Sequence, residues 1–291
     1  MKKFLQSPYA WLAPALAALF IITIVPTFFL FFTSLHHWEL GFPWDERVFI
    51  GLKNFSHTLQ NPLFRSALVR TLIYTVSAVT VQFILGFLIA SFLSRRTLLW
   101  RGFLIGSLII PMTVTPSIAG LIWRLYFNPT YGIVNYLLGF INLQPNWYGY
   151  ELALLSAVIV EVWQWTPFVT LILLAGLSAL PRTPFEAAMV DGASRFQMLW
   201  NITLPLLRPI ILIALLLRGM DALKMFDVIF SLTGGGPADA TELISMLIYR
   251  TGFYHTGMVG RASAIAVFLL AAIILLSQFL IKILDSEPKS A

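Results

Sequence analysis

Thr183-Pro184-Phe185-Glu186-Ala187-Ala188-Met189-Val190-Asp191-Gly192, followed by Ile202-Thr203-Leu204-Pro205, is a structured polar elbow between two apolar runs of membrane-spanning length. Thr183 reads as a helix cap, with Pro184 at the first helical position and Glu186 placed to return a bond to the cap. Gly192 supplies the stop, because glycine accepts the left-handed conformation in which helices end. Ser194-Arg195-Phe196-Gln197 repeats the capping box and launches a second helix, which Pro205 and Pro209 are expected to limit. Two capped helices meeting at a glycine make a rigid knuckle, where a plain connection would need only a loop.

The flanking sequence sets the environment of that knuckle. Of 291 residues, 58% are hydrophobic and 11% charged, and the mean hydropathy is +0.83, too apolar for a water-soluble domain. A helix crosses the hydrocarbon core with about 20 apolar residues. The sequence therefore predicts an all-α integral membrane protein, residues 1–291 forming a single transmembrane domain. Its six spans are expected at 9–34, 67–93, 102–127, 152–180, 209–232 and 262–284, with the knuckle at 182–206. The first span starts after Lys2 and Lys3 but is longer than the apolar region of a cleaved leader, so it reads as a retained helix.

With the N-terminus inside, the inner segments hold ten cations: Lys2, Lys3, Arg95, Arg96, Arg101, Arg182, Arg195, Arg208, Lys282 and Lys289. The outer loops hold five, Arg47, Lys53, Arg65, Arg250 and Arg261. This bias predicts both termini in the cytoplasm, and it explains the formal charge of +6 without nucleic acid as a partner. Cysteine is absent, which excludes disulfides, a thiolate nucleophile and Cys-ligated zinc. His36, His37, His57 and His255 fall in predicted outer loops, and the adjacent pair without a third ligand reads as interfacial side chains.

Prolines punctuate the expected spans: Pro14 and Pro26 in the first, Pro111 and Pro116 in the third, Pro167 in the fourth. Each removes a donor and tends to kink its helix, and freed carbonyls at membrane depth need protein or a water-lined cavity. Charges are the next signal, since one at a helix centre costs about 2.5–3.5 kcal/mol on insertion scales. The fourth span offers Glu161, Gln164, Trp165 and Thr166, and the fifth offers Arg218, Asp221, Lys224 and Asp227. At 1.5 Å rise per residue, Glu161 lies roughly 13 Å below one end of its helix and Arg218 a similar distance above the opposite end of its own, so the two are expected to meet. Thr113 and Ser117, beside the prolines of the third span, fall at comparable depth. Two readings stand: the alternating charges neutralise one another along the helix and hold the bundle, or they line a polar path. Arg124 is expected to snorkel to the interface.

Glu-Ala-Ala, three residues, Gly, nine residues, Ile, one residue, Leu-Pro runs without a gap from Glu186 to Pro205. It resembles the EAA loop of the permease subunits of bacterial ABC importers. Phe49-Ile50-Gly51-Leu52-Lys53-Asn54-Phe55, Pro116-Ser117 and Leu232-Thr233-Gly234-Gly235-Gly236-Pro237 look like the carbohydrate-uptake branch, the maltose-permease-like and glycerol-phosphate-permease-like proteins. The resemblance implies the type I importer fold, with Glu186, Ala187, Ala188 and Gly192 docking into an ATPase subunit and Asp191 and Ser194 beside them. It implies as partners a second permease subunit that is a paralogue, two ATP-binding subunits that hold ATP and Mg, and an extracytoplasmic solute-binding protein, all around a chain embedded in lipid of the bacterial inner membrane.

Carried over without gaps, the substrate-contacting positions of the maltose-type permease fall on Gln164, Trp165, Phe168, Arg218, Ala222 and Met225, with Thr113 and Ser117 from the third span. Together with Glu161 and Asp221 these form the expected substrate pathway. Arg218, Ala222 and Met225 replace the small polar and amide residues of a maltose site, so maltose itself is not expected. Trp165 and Phe168 suit the apolar face of a sugar ring, while Arg218 suits hydroxyls, a phosphate or a sulfonate.

The expected function is a non-catalytic transmembrane subunit of an ATP-driven importer that works by alternating access on a sugar, polyol or related small polar solute, anionic solutes included. No Gly-x-x-x-x-Gly-Lys-Ser/Thr phosphate loop occurs in the sequence, so no cofactor is expected in this chain. A self-sufficient ion-coupled transporter or channel is the alternative, but it leaves the knuckle without a purpose. An intramembrane enzyme has only Glu161 with Asp221 to offer.

Overall fold

The computed structural model describes residues 8–95, 99–254 and 257–286. Lys2, Lys3, Arg96, His255 and Lys289 of the charge and histidine readings lie outside the described residues. Helix α1 (Pro8–Ser34) leads to a short antiparallel ribbon, β1 (His36–His37) with β2 (Val48–Phe49), in the register His36 to Phe49. Then come α2 (Lys53–Gln60), α3 (Pro62–Leu93), α4 (Arg101–Thr113), α5 (Pro116–Tyr126), α6 (Ile133–Gly139), α7 (Ala153–Ala179) and α8 (Thr183–Val190). Helix α9 (Arg195–Leu223) is followed by α10 (Asp227–Leu232), α11 (Ile244–Tyr249) and α12 (Val259–Asp285). Five of these are long and apolar enough to cross a membrane, or six when the bent pair α4–α5 counts as one span. The expected six-span, all-α architecture holds in that form.

The chain divides into two compact units, one of residues up to Ser66 with Leu247–Ala271, the other of Ala67–Met246 with the segment from Ala272 onward. In the first, the Phe49–Phe55 motif finds its use in Asn54. Its buried amide donates to the carbonyls of Ser34 and His36, both at 2.9 Å, and so ties the end of α1 and the ribbon to α2. His36 Nδ1 lies 2.7 Å from the Phe32 carbonyl, and its ring stacks on Phe32, while the Arg47 guanidinium lies 4.2 Å over Trp44. Such aromatic clusters suit a membrane interface.

In the second unit α7 is the most enclosed spanning helix, its buried residues including Glu161, Gln164, Thr166 and Thr170. One apolar core gathers Tyr74, Ala78, Ala157, Val160, Met225, Val228, Ile229 and Leu232, and a second gathers Ala90, Val169, Leu173 and Leu207. The pair α4–α5 bends by 95° across Val114 and Thr115. A kink is what Pro111 and Pro116 predict, and the bend is large because Pro116 opens a new helix at its first position. Beyond the bend, α5 packs closely on α10. A Cβ added to Gly120 would sit 2.0 Å from Ser231 Oγ, so only glycine permits this approach.

Three expectations are corrected. Pro205 and Pro209 do not limit the second knuckle helix, because a π-helical turn at Leu199–Thr203, with Leu204 N–H bonded to Leu199 O, widens the helix ahead of Pro205 and lets it continue to Leu223. The fifth span does not extend helically to Leu232. It ends at Leu223, and the Met225 carbonyl freed by the break accepts a hydrogen bond from Ser245 Oγ before α10 begins. Thr183 is not a cap, since Arg182 already has helical backbone angles (φ −80°, ψ −29°) and Thr183 is the first residue of α8 with no side-chain cap bond.

Candidate functional site

Two places carry the residues singled out by the sequence, and they differ in build. The knuckle is local. Helix α8 ends in a double bond pattern, Ala193 N–H to Ala188 O at 2.9 Å and Gly192 N–H to Met189 O at 3.2 Å, with Gly192 at φ +75°. This is the left-handed glycine stop that satisfies carbonyls at a helix end. Ser194 then caps α9 reciprocally: its hydroxyl accepts from Gln197 N–H at 3.3 Å, and Gln197 Oε1 accepts from Ser194 N–H at 2.8 Å. Glu186, freed from the capping role, lies in the first turn of α8, where a carboxylate is favoured by the helix dipole. Glu186, Ala187, Asp191, Gly192 and Ser194 are exposed, Ala188 is half-buried, and Val190 beside them is 87% exposed. Glu186 also borders a cavity of about 550 Å³ whose lining includes Ser94, Arg101, Arg182, Phe185 and Thr203.

The second place is assembled from three helices. Arg218 of α9, 1% exposed, is ion-paired through Nη2 to Glu161 Oε1 of α7, itself fully buried. Arg218 Nε donates to Gln82 Oε1 of α3 at 3.2 Å, and Nη1 reaches Asp221 Oδ2 at 3.3 Å. The other Glu161 oxygen accepts from the Tyr74 hydroxyl at 3.2 Å, while Gln82 Nε2 donates to the Glu161 backbone carbonyl at 3.0 Å. Asp221 continues outward to Lys224 Nζ at 3.1 Å. The guanidinium lies 4.7 Å over the Trp165 ring. Charges buried this way persist only when paired and hydrogen-bonded on every side.

Glu161 and Arg218 thus meet, as their depths predict, and the alternating charges of α9 pair along the helix as far as Lys224. Asp227 lies past the break, exposed in the first turn of α10. Trp165, Phe168, Arg218 and Asp221 share the wall of a cavity of about 450 Å³ with Leu217, Met220, Lys224 and Ile273. The remaining pathway positions sit elsewhere. Gln164 donates to the Val114 carbonyl at 2.6 Å and so satisfies a group freed by the bend in α4–α5, while Thr113 and Ser117 are exposed on either side of that bend. Ala222 is fully buried, and Met225 is packed in the apolar core beside Tyr74 and Val228. Arg124 is exposed in the last turn of α5, its carbonyl accepting from the Tyr148 hydroxyl.

Tyr74 and Gln82 were missed by the sequence reading, although they complete the coordination of the ion pair. Gln82 lies mid-span in a run free of charged residues, the same depth signal that marks Glu161. Tyr74 gives no such signal, because tyrosine is common in membrane helices and only the fold aims its hydroxyl.

A bundle of spanning helices, an exposed two-helix knuckle and a paired ionic cluster inside the bundle define a membrane transport subunit. Residues 60–289 match the family described as binding-protein-dependent transport system inner membrane component, and the chain belongs to it. It is 40% identical over 261 residues to the trehalose/maltose transport system permease protein MalF of Thermococcus litoralis, covering 89% of this chain and 87% of that protein. It is 33% identical over 270 residues to the sulfoquinovosyl glycerol transport system permease protein SmoG of Agrobacterium fabrum, covering 89% and 84%. Its fold is that of a chain in a bacterial ABC transporter involved in the import of the acidic polysaccharide alginate, with a TM-score of 0.81 at 24% identity over 97% of this chain and 96% of the other. The expected family and fold are both established by these likenesses.

Proposed function

We propose that this chain forms half of the translocation pathway of an ATP-driven importer for a sugar, polyol or related small polar solute, working by alternating access. The carrying observation is the join between the two places just described. The knuckle is fused to α9, which runs 29 residues from Arg195 to Leu223 as one spanning unit and bears Arg218 and Asp221 at its far end. At 1.5 Å per residue that is a lever of about 43 Å. The knuckle faces the cytoplasm with both termini, and Glu186, Ala187, Ala188, Asp191, Gly192 and Ser194 dock on an ATPase subunit. Closure of two such subunits on ATP and Mg moves the knuckle, and α9 carries the displacement to the cavity walled by Trp165 and Arg218. The two states differ in their ATPase contacts, which is what lets ATP bias the equilibrium between them.

The chain itself binds no nucleotide and catalyses no reaction. Its partners are a paralogous permease, two ATP-binding subunits and an extracytoplasmic solute-binding protein, and the names of the relatives support sugars and related compounds as the solute class. Glu186→Lys is expected to abolish copurification of the ATPase subunits and ATP-driven uptake while the permease pair stays folded in the membrane. Normal ATPase assembly and uptake in that variant would overturn the docking reading. ATP-independent uptake by proteoliposomes containing this chain alone would overturn the importer reading altogether.

A further inference from the structure

The cavity wall contains an arginine, which taken alone suggests an anionic solute, yet its geometry argues the reverse. Three nitrogens of Arg218 are already committed, to Gln82, Glu161 and Asp221, and its side chain is 1% exposed. The accessible charges of the cavity are Asp221, 43% exposed, and Lys224, 61% exposed, and these are paired with each other at 3.1 Å. Glu161 and Asp221 balance Arg218 and Lys224, so the cluster has no net positive charge to offer. The rest of the wall is apolar and aromatic: Trp165, Phe168, Leu217, Met220 and Ile273. The Trp165 indole Nε1 is buried without a partner, so what the residue brings to the wall is its ring.

We propose that the solute taken by this cavity is uncharged, a saccharide or polyol, and that phosphate and sulfonate esters of such compounds are selected against. This rests on the reading that the cavity lies on the transport path. An anion entering here meets no net positive charge, because any contact it makes with Lys224 sets it beside the Asp221 carboxylate already paired there, a second negative charge that opposes it. A neutral ring meets no such penalty. Its CH face lies on Trp165 or Phe168, and its hydroxyls both donate and accept, as a site of mixed neutral groups requires. Arg218 is then a positioning residue that orients Trp165 and Asp221, and its charge is spent on the protein.

The test is equilibrium binding to the complete importer in nanodiscs without its solute-binding protein, so that the permease alone selects. Radiolabelled neutral compounds are paired with their esters, trehalose with trehalose 6-phosphate and glycerol with sn-glycerol 3-phosphate. The neutral member of at least one pair is expected to bind at least about tenfold tighter than its ester, a difference measurable as a ratio of Kd values. An ester binding as tightly as its parent, or tighter, overturns the inference and leaves the path intact. Binding of neither member of any pair, or Trp165→Ala leaving every affinity unchanged, removes the cavity from the path and the inference with it. Glu161→Gln keeps a hydrogen-bond acceptor but releases the Arg218 charge, and it is expected to shift the ratio toward the ester by about tenfold. No shift in an assembled Glu161→Gln complex overturns the charge-balance account, and the wild-type ratio decides the matter if that variant fails to assemble.

Discussion

The knuckle and the ionic cluster stand at the two ends of one helix and are stabilised in opposite ways. At the knuckle every defining bond joins residues within five positions of each other, and no residue of α8 is buried. In the cluster the bonds from Arg218 reach residues 57 and 136 positions away, and Arg218, Glu161, Gln82 and Tyr74 are all buried. Local bonds leave a surface free to meet a partner. Long-range bonds in an enclosed site fix helices against each other.

That contrast predicts different failures when each place is broken. The largest effect is expected from Arg218→Ala, which strands Glu161 in the bundle. Removing one partner of a buried ion pair costs about 3–5 kcal/mol, and the solubilised complex should melt earlier and assemble poorly. Glu161→Ala should do nearly the same, and the double variant should cost much less than the sum, a coupling that a double-mutant cycle reads directly. Additive losses would mean that the pair does not act as a unit, and the contrast would collapse.

At the knuckle, Gly192→Val forces a β-branched residue into the left-handed region, at a cost of about 1–2 kcal/mol. A Cβ there would meet no neighbouring atom within 4 Å, so the cost is conformational and stays local. Uptake and ATPase coupling should fall while the melting temperature of the permease barely moves. An equal loss of melting temperature would show that the knuckle is part of the bundle's stability. Smallest is Ser194→Ala, which deletes a helix cap worth about 1 kcal/mol and should lower coupling only modestly, with Ser194→Thr retaining it.

Much of this was legible in the sequence for the reason that makes the knuckle local. The glycine stop, the Ser194–Gln197 box, the apolar spans and the kink between Pro111 and Pro116 all follow from residues close together in the chain. Depth along the helices also brought Glu161 opposite Arg218. The misreadings occur where the adjoining backbone or a neighbour in space overrides the rule read from one residue. Thr183 has the composition of a cap, but Arg182 enters the helix ahead of it. Pro205 has the chemistry of a stop, but a π turn absorbs it. The run to Leu232 is apolar enough to continue α9, but Ser245 takes the Met225 carbonyl and the helix ends.

The sequence alone determined that this is a membrane bundle with a capped knuckle of the EAA type, because apolar length, proline, glycine and capping chemistry act over a few residues. Only the tertiary structure decided what Arg218 does. A cation in a membrane helix is equally compatible with binding an anion or with balancing a carboxylate. The choice depends on whether Gln82, Glu161 and Asp221 lie within hydrogen-bonding distance, which the packing of α3, α7 and α9 settles and no local pattern encodes.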